Sequence, residues 1–156
     1  MVGARLSQTI FVLQLFLVLG GCDAEKNPPV EVLFAASGLL DEGETGQPKF
    51  TRTEIVPLKE GQRYGWYMFV RTNKPTLRYE EEIAMAGPTT WGNTSGSLVV
   101  TEDKRGAKVV REVDPKGGWL RGIWSINSDD PQGPVRIKIT IEGSVVQNFS
   151  WTLSPP

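Results

Sequence analysis

From Val135 to Ile141 the chain reads VRIKITI, with Val135, Ile137, Ile139 and Ile141 on one parity and Arg136, Lys138 and Thr140 on the other. Side chains of an extended strand point alternately to opposite faces, so this pattern buries one face and wets the other. At 3.6 residues per turn the same four aliphatics would be scattered around a helix. Glu142-Gly143-Ser144 supplies a turn, and Val145 to Leu153 returns with Phe149, Trp151 and Leu153 on one face. The two segments are expected to form a β-hairpin.

The same period recurs upstream. Gln62 to Thr72 carries Tyr64, Trp66, Met68 and Val70 on one face, and Thr76 to Ala86 carries Leu77, Tyr79, Ile83 and Met85. Val30 to Ala36, Phe50 to Val56, Ser97 to Thr101, Ala107 to Val113 and Trp119 to Ile126 are further apolar or β-branched runs. Glu102 to Gly106 and Asn127 to Pro134 are dense in turn formers. No stretch after residue 30 keeps an i, i+3, i+4, i+7 apolar pattern for three turns. The expected fold is all-β: an antiparallel β-sandwich of about 8 strands over residues 30–156, immunoglobulin-like in architecture. The Cys-Trp-Cys core of antibody domains is absent, so the likeness is one of architecture alone.

Composition narrows the chemistry. The 156 residues hold no His and one Cys, with 17 Lys and Arg against 18 Asp and Glu. Without His there is no Ser-His-Asp or Cys-His triad and no His-ligated metal. One Cys allows no internal disulfide and no Cys-rich metal site. A net charge of −1 lacks the basic excess of a nucleic-acid binder. No metal and no cofactor are expected.

The N-terminus reads as a targeting segment. Met1 to Gln8 is basic through Arg5, and Ile10 to Leu19 is apolar except for Gln14. About 10 apolar residues suit a signal-peptide core and fall short of the roughly 20 that span a bilayer. Leu19-Gly20-Gly21-Cys22 follows directly. Here the chain resembles a bacterial lipoprotein precursor. The resemblance implies cleavage between Gly21 and Cys22 and lipidation of Cys22, giving a signal peptide over 1–21 and a lipidated anchor with a short tether over 22–29. Asp23, next to the anchor, implies the periplasmic face of the inner membrane in preference to the outer membrane. The tether from Asp23 to Pro29 reaches at most about 25 Å, which keeps the domain close to the bilayer.

Glu80-Glu81-Glu82 is the one carboxylate cluster with catalytic spacing. On a strand, Glu80 and Glu82 share a face about 7 Å apart, as an inverting glycosidase pair could, or as a solvated strand face would. The solvated face is the preferred reading. Glu81 falls on the apolar parity, where an inward charge would guard an edge strand, mark a bulge or pair with a buried Arg; the edge-strand reading is preferred. Asp129-Asp130 beside Pro131 reads as a turn, not as a Ca²⁺ loop. Among the five Trp, Trp66, Trp151 and Trp124 are expected in the core. Trp91, in a loop of Gly, Thr, Asn and Ser, and Trp119, after Gly117-Gly118, are the candidate binding residues for a protein partner or a glycan. The glycines at 43, 46, 117 and 118 lack a phosphate-cradle context. Two glycosylation sequons, at Asn93 and Asn148, are read as chance in a bacterial lipoprotein.

From Val30 onward the chain is also similar to a family of small exported bacterial domains of unknown function. The features are Thr53-Glu54-Ile55-Val56-Pro57 before Gly61 and Tyr64-Gly65, Trp124-Ser125-Ile126 before Pro131-Gln132-Gly133-Pro134, and Phe149, Trp151 and Leu153 in the closing hairpin. The resemblance implies an exported β-sandwich and carries over no catalytic residue.

These readings point to a membrane-anchored, non-enzymatic binding or accessory domain on the periplasmic side of the cell envelope, with a protein partner and no nucleic acid. The alternatives are a peptidoglycan- or carbohydrate-binding module using Trp91 and Trp119, a secretion-machine or immunity lipoprotein, and a hydrolase using Glu80 and Glu82.

Overall fold

A computed structural model describes residues 30–42, 48–92 and 96–156. The expected leader 1–21, the cleavage site at Gly21 and Cys22, the 22–29 tether, Gly43, Gly46 and the Asn93 sequon lie outside the described residues.

Ten strands are described: β1 (Glu31–Glu42), β2 (Pro48–Arg52), β3 (Ile55–Pro57), β4 (Arg63–Arg71), β5 (Leu77–Ala84), β6 (Ser97–Val100), β7 (Gly106–Val113), β8 (Trp119–Ser125), β9 (Gly133–Ile141) and β10 (Val145–Ser154). They form a four-stranded sheet, β2-β1-β4-β8, and a six-stranded sheet, β3-β10-β9-β5-β7-β6. Neighbours run antiparallel, except that β3 lies parallel to β10. The fold is a β-sandwich, as the alternation requires.

The final hairpin forms as expected, with Ile141 opposite Val145 and Val135 opposite Trp151. Glu142 and Gly143 both take positive φ, 51° and 70°. That backbone twist matches a right-handed hairpin, and Gly143 adopts it without a Cβ penalty.

One boundary needs correction. Phe50 to Val56 reads as a single strand, but the chain breaks at Thr53-Glu54. The Thr53 hydroxyl accepts from the Ile55 amide at 3.1 Å and donates to the Ile55 carbonyl at 3.2 Å. This local turn competes with the ladder. Before it, β2 pairs with β1; after it, β3 pairs with β10 in the other sheet. That switch splits one run in two, so the nine runs read from the sequence become ten strands.

The core lies between the sheets. Tyr64, Trp66, Met68 and Val70 of β4 meet Leu77, Tyr79 and Ile83 of β5, the β9 aliphatics, and Phe149, Trp151 and Leu153 of β10. Trp66 stacks on Phe149 at 6.0 Å and meets Tyr79 edge-on at 5.6 Å. Trp66 and Trp151 are buried, as expected of them, while Trp124 is half-buried at the core margin.

Candidate functional site

Within this core sits a carboxylate. Glu81 occupies the inward parity of β5 and is 0% exposed. The edge-strand reading fails, because β5 runs between β9 and β7. The pairing alternative holds instead. Glu81 Oε1 accepts from Trp66 Nε1 and Trp124 Nε1, each at 2.8 Å, and Oε2 accepts from Arg111 Nη1 at 2.7 Å. The Arg111 guanidinium lies 5.9 Å from the centroid of the Tyr79 ring. Burying an ion requires this degree of pairing, since a lone buried carboxylate costs several kcal/mol. Burial also pushes the Tyr79 hydroxyl up, a shift that Arg111 opposes. Gly122 of β8 makes the room. A Cβ there would stand 2.3 Å from Trp66 Nε1 and 2.9 Å from Glu81 Oε1.

Two recesses line the open side of β8, the edge strand of the four-stranded sheet, and Arg111 and Ile123 border both. The first, of about 310 Å³, is framed by Trp91, Trp124, Thr90, Arg111, Asn127 and Asp130. The second, of about 380 Å³, runs past Tyr79 and Arg121 to Trp119. Together they form a groove along the strand. The Arg121 carbonyl points out of the sheet toward Tyr79 Oη, which donates to it at 3.4 Å. Backbone groups alternate in direction along a strand, so the Ile123 amide faces the groove as well.

Trp91 and Trp119 are not brought together. Trp91 packs edge-on against Trp124 at 6.1 Å and donates Nε1 to the Lys104 carbonyl at 2.9 Å. Trp119 lies five residues before Trp124 on β8, about 16 Å away by strand rise and on the opposite face of the sheet. The two tryptophans mark opposite ends of the groove.

Asp129 and Asp130 clasp the Trp91 loop. Asp129 accepts from the Thr90 amide at 2.9 Å and the Thr90 hydroxyl at 2.6 Å, while Asp130 accepts from the Thr89 hydroxyl and, at 2.9 Å, from the Asn127 amide. These bonds, the hydroxyl of Thr90 first, hold the Asp129 carboxyl below its ordinary range. Glu80 and Glu82 lie on the outer face of β5 in a ladder with Arg78, Lys108 and Lys138. Lys108 above all, with Arg78, holds Glu80 low. This is the cross-strand charge pairing of a solvated sheet face.

The larger surprise is on the outer face of the four-stranded sheet. Residues directly opposite across a ladder share a face. The register therefore puts Phe34, Phe69 and Trp119 in one row and Phe50, Leu40 and Arg63 in another, with Tyr67 opposite Arg121 between them. Trp119 is 54% exposed and Phe34 47%. Trp119 lies 5.1 Å from Phe69 and 6.2 Å from Phe34, and Phe50 meets Tyr67 at 4.9 Å. Alternation alone assigns the odd parity of β4 to solvent. The available signal was the unbroken apolar run Gly65 to Val70, which marks a strand covered on both sides.

Comparisons agree with the geometry. The profile of the PM0630 beta sandwich domain matches residues 35–154. Among solved structures, an immunoglobulin-like protein from Pseudomonas aeruginosa superposes with a TM-score of 0.59 at 15% identity, covering 81% of this chain and 97% of that one. At that identity the likeness concerns the fold, and it makes the sandwich immunoglobulin-like. None of the curated proteins matches the chain in sequence.

Proposed function

The chain belongs to the PM0630 beta sandwich domain family, and from that premise we propose a non-enzymatic binding domain, lipid-anchored through Cys22 at the periplasmic side of the cell envelope, which holds a protein partner. The partner's extended segment adds to the open edge of β8, between Trp119 and Trp91. Strand addition draws affinity from main-chain hydrogen bonds and specificity from pockets that take alternate side chains. The observation that carries this reading is the groove itself: an edge strand of seven residues with outward backbone groups and a recess on either side of Ile123. The Leu19-Gly20-Gly21-Cys22 motif supports the anchor, and Asp23 favours the inner membrane.

A photo-crosslinker at Ser125, in the lipidated protein within its native membrane, tests the reading. Capture of a partner should be lost in Ile123→Pro, which removes one outward amide from an edge strand that tolerates proline. Capture undiminished by that change overturns strand addition. Cys22→Ser should abolish palmitate labelling, and persistent labelling overturns the anchor.

A second reading rests on the Trp91 recess, whose lining brings the indole together with Thr90, Asn127 and Asp130. That mixture of ring face and hydrogen-bonding groups suits a glycan of the envelope. Sedimentation with insoluble peptidoglycan tests it: wild-type protein should bind and Trp91→Ala should not. The outer aromatic face fits a glycan poorly. Its rings are inclined at 73°, 45° and 71° to one another and form no common stacking plane.

A further inference from the structure

We infer that the corner formed by Leu33, Phe34, Phe69 and Trp119 docks onto the phospholipid bilayer and fixes how the domain stands on it; this rests on the lipid-anchor reading above.

Three observations carry the inference. First, the corner is built rather than left over. In β1, Val32 lies opposite Val70 on the inner face, and a bulge at Leu33 shifts the register so that Phe34 lies opposite Phe69 on the outer face. Without the bulge Phe34 would keep the parity of Val32 and point into the core. Bulges serve to re-aim side chains in this way. Leu33, within the bulge, is 46% exposed. Gly117 and Gly118, with φ of 62° and 78°, let the chain turn tightly into Trp119, and a Cβ at Gly118 would strike the Phe69 ring at 2.7 Å.

Second, the corner lies where the tether enters. Glu31 is opposite Arg71 and Trp119 opposite Phe69, so the first residues of β1 and of β8 share one end of the sandwich. Cys22 precedes Val30 by eight residues, a reach of at most about 28 Å. The acyl chains and the apolar corner are thus confined to the same few nanometres.

Third, the chemistry suits an interface. An indole, two phenyl rings and a leucine flanked by Arg71 and Arg121 match the headgroup–acyl boundary, where aromatic rings sit and arginines meet phosphate. Arg52, on the same outer face, adds positive charge, against Glu31, which pairs with Arg71, and Asp114 beside Arg121. Trp91, at the far end of the groove, is then held away from the bilayer.

The acylated full-length mature protein, reconstituted into vesicles of phosphatidylethanolamine and phosphatidylglycerol, provides the test. Brominated acyl chains should quench part of the tryptophan emission. That quenched component should vanish in Trp119→Phe and in Leu33→Asp with Phe34→Asp, and should persist in Trp91→Phe. Equal quenching in wild type and Trp119→Phe overturns the docking, as does a crosslinker at position 33 that captures protein instead of lipid. Palmitate labelling of the same samples separates the two ideas. No label sinks the anchor, whereas a labelled protein without Trp119 quenching sinks the docking alone.

Discussion

Trp66 Nε1 donates to Glu81 Oε1 at 2.8 Å across the gap between the two sheets, which makes one buried carboxylate a joint of the sandwich. Trp124 bonds the same oxygen, and Arg111 the other. Removing one partner of a buried pair leaves the other charge uncompensated, at a cost of about 3–5 kcal/mol. Glu81→Gln should therefore lower stability by about 3 kcal/mol in urea unfolding. With Arg111→Met added, the double variant should lose less than the sum of the two singles. Additive losses would show that the pair is not coupled.

The two buried tryptophans should respond differently to loss of their N–H. Trp151 Nε1 finds no hydrogen-bond partner among the described residues. Trp66→Phe removes a bond to a charged group, worth about 1.5–3 kcal/mol. Trp151→Phe removes an unsatisfied donor. Denaturant midpoints should place Trp66→Phe well below Trp151→Phe, although both rings lie in the same core.

Gly122→Ala should be severe. Its Cβ would meet Trp66 Nε1 at 2.3 Å and Glu81 Oε1 at 2.9 Å, so ring and carboxylate must both move. Overpacking of this kind costs about 1–3 kcal/mol or more. At Gly92 a Cβ meets nothing within 4 Å, and Gly92→Ala should stay within about 0.5 kcal/mol of wild type. Thermal melts of the two variants check the contrast.

The Trp91 loop should loosen in acid. Thr90 holds the Asp129 carboxyl below its ordinary value of 3.8. An acid with a depressed folded pKa stabilises fully above its unfolded value and loses that contribution as pH falls through the folded one. The clasp should accordingly open below about pH 4. A change in Trp91 emission in that window, absent in Asp129→Asn, is the expected result.

The alternation exposed by VRIKITI predicts β9, β10, β4 and β5 with their inward faces, because the period-2 rule concerns a single strand and one buried side. It does not reach what depends on a second strand. The switch at Thr53-Glu54 is invisible, since a β-branched run looks the same in either sheet. Glu81 looks like a guard for an edge, because only the order β9-β5-β7 reveals that its strand is internal. Trp91 and Trp119 stand out in the sequence as loop aromatics. That Phe34 joins Trp119 depends on a one-residue bulge, which no local pattern announces.

The position of β1 has a mechanical consequence. The strand that would receive the proposed tether is bonded on both sides, to β4 from Glu31 to Leu40 and to β2 from Gly38 to Glu42. A pull on the residues before Val30, directed along the strand, strains these hydrogen bonds together in shear. A pull across an outer strand would instead open its bonds one after another, like a zip. Load entering through the proposed tether would therefore meet the sandwich in its most resistant direction, and a tug between the membrane and the proposed partner should part that partner from the domain before β1 leaves the sheet.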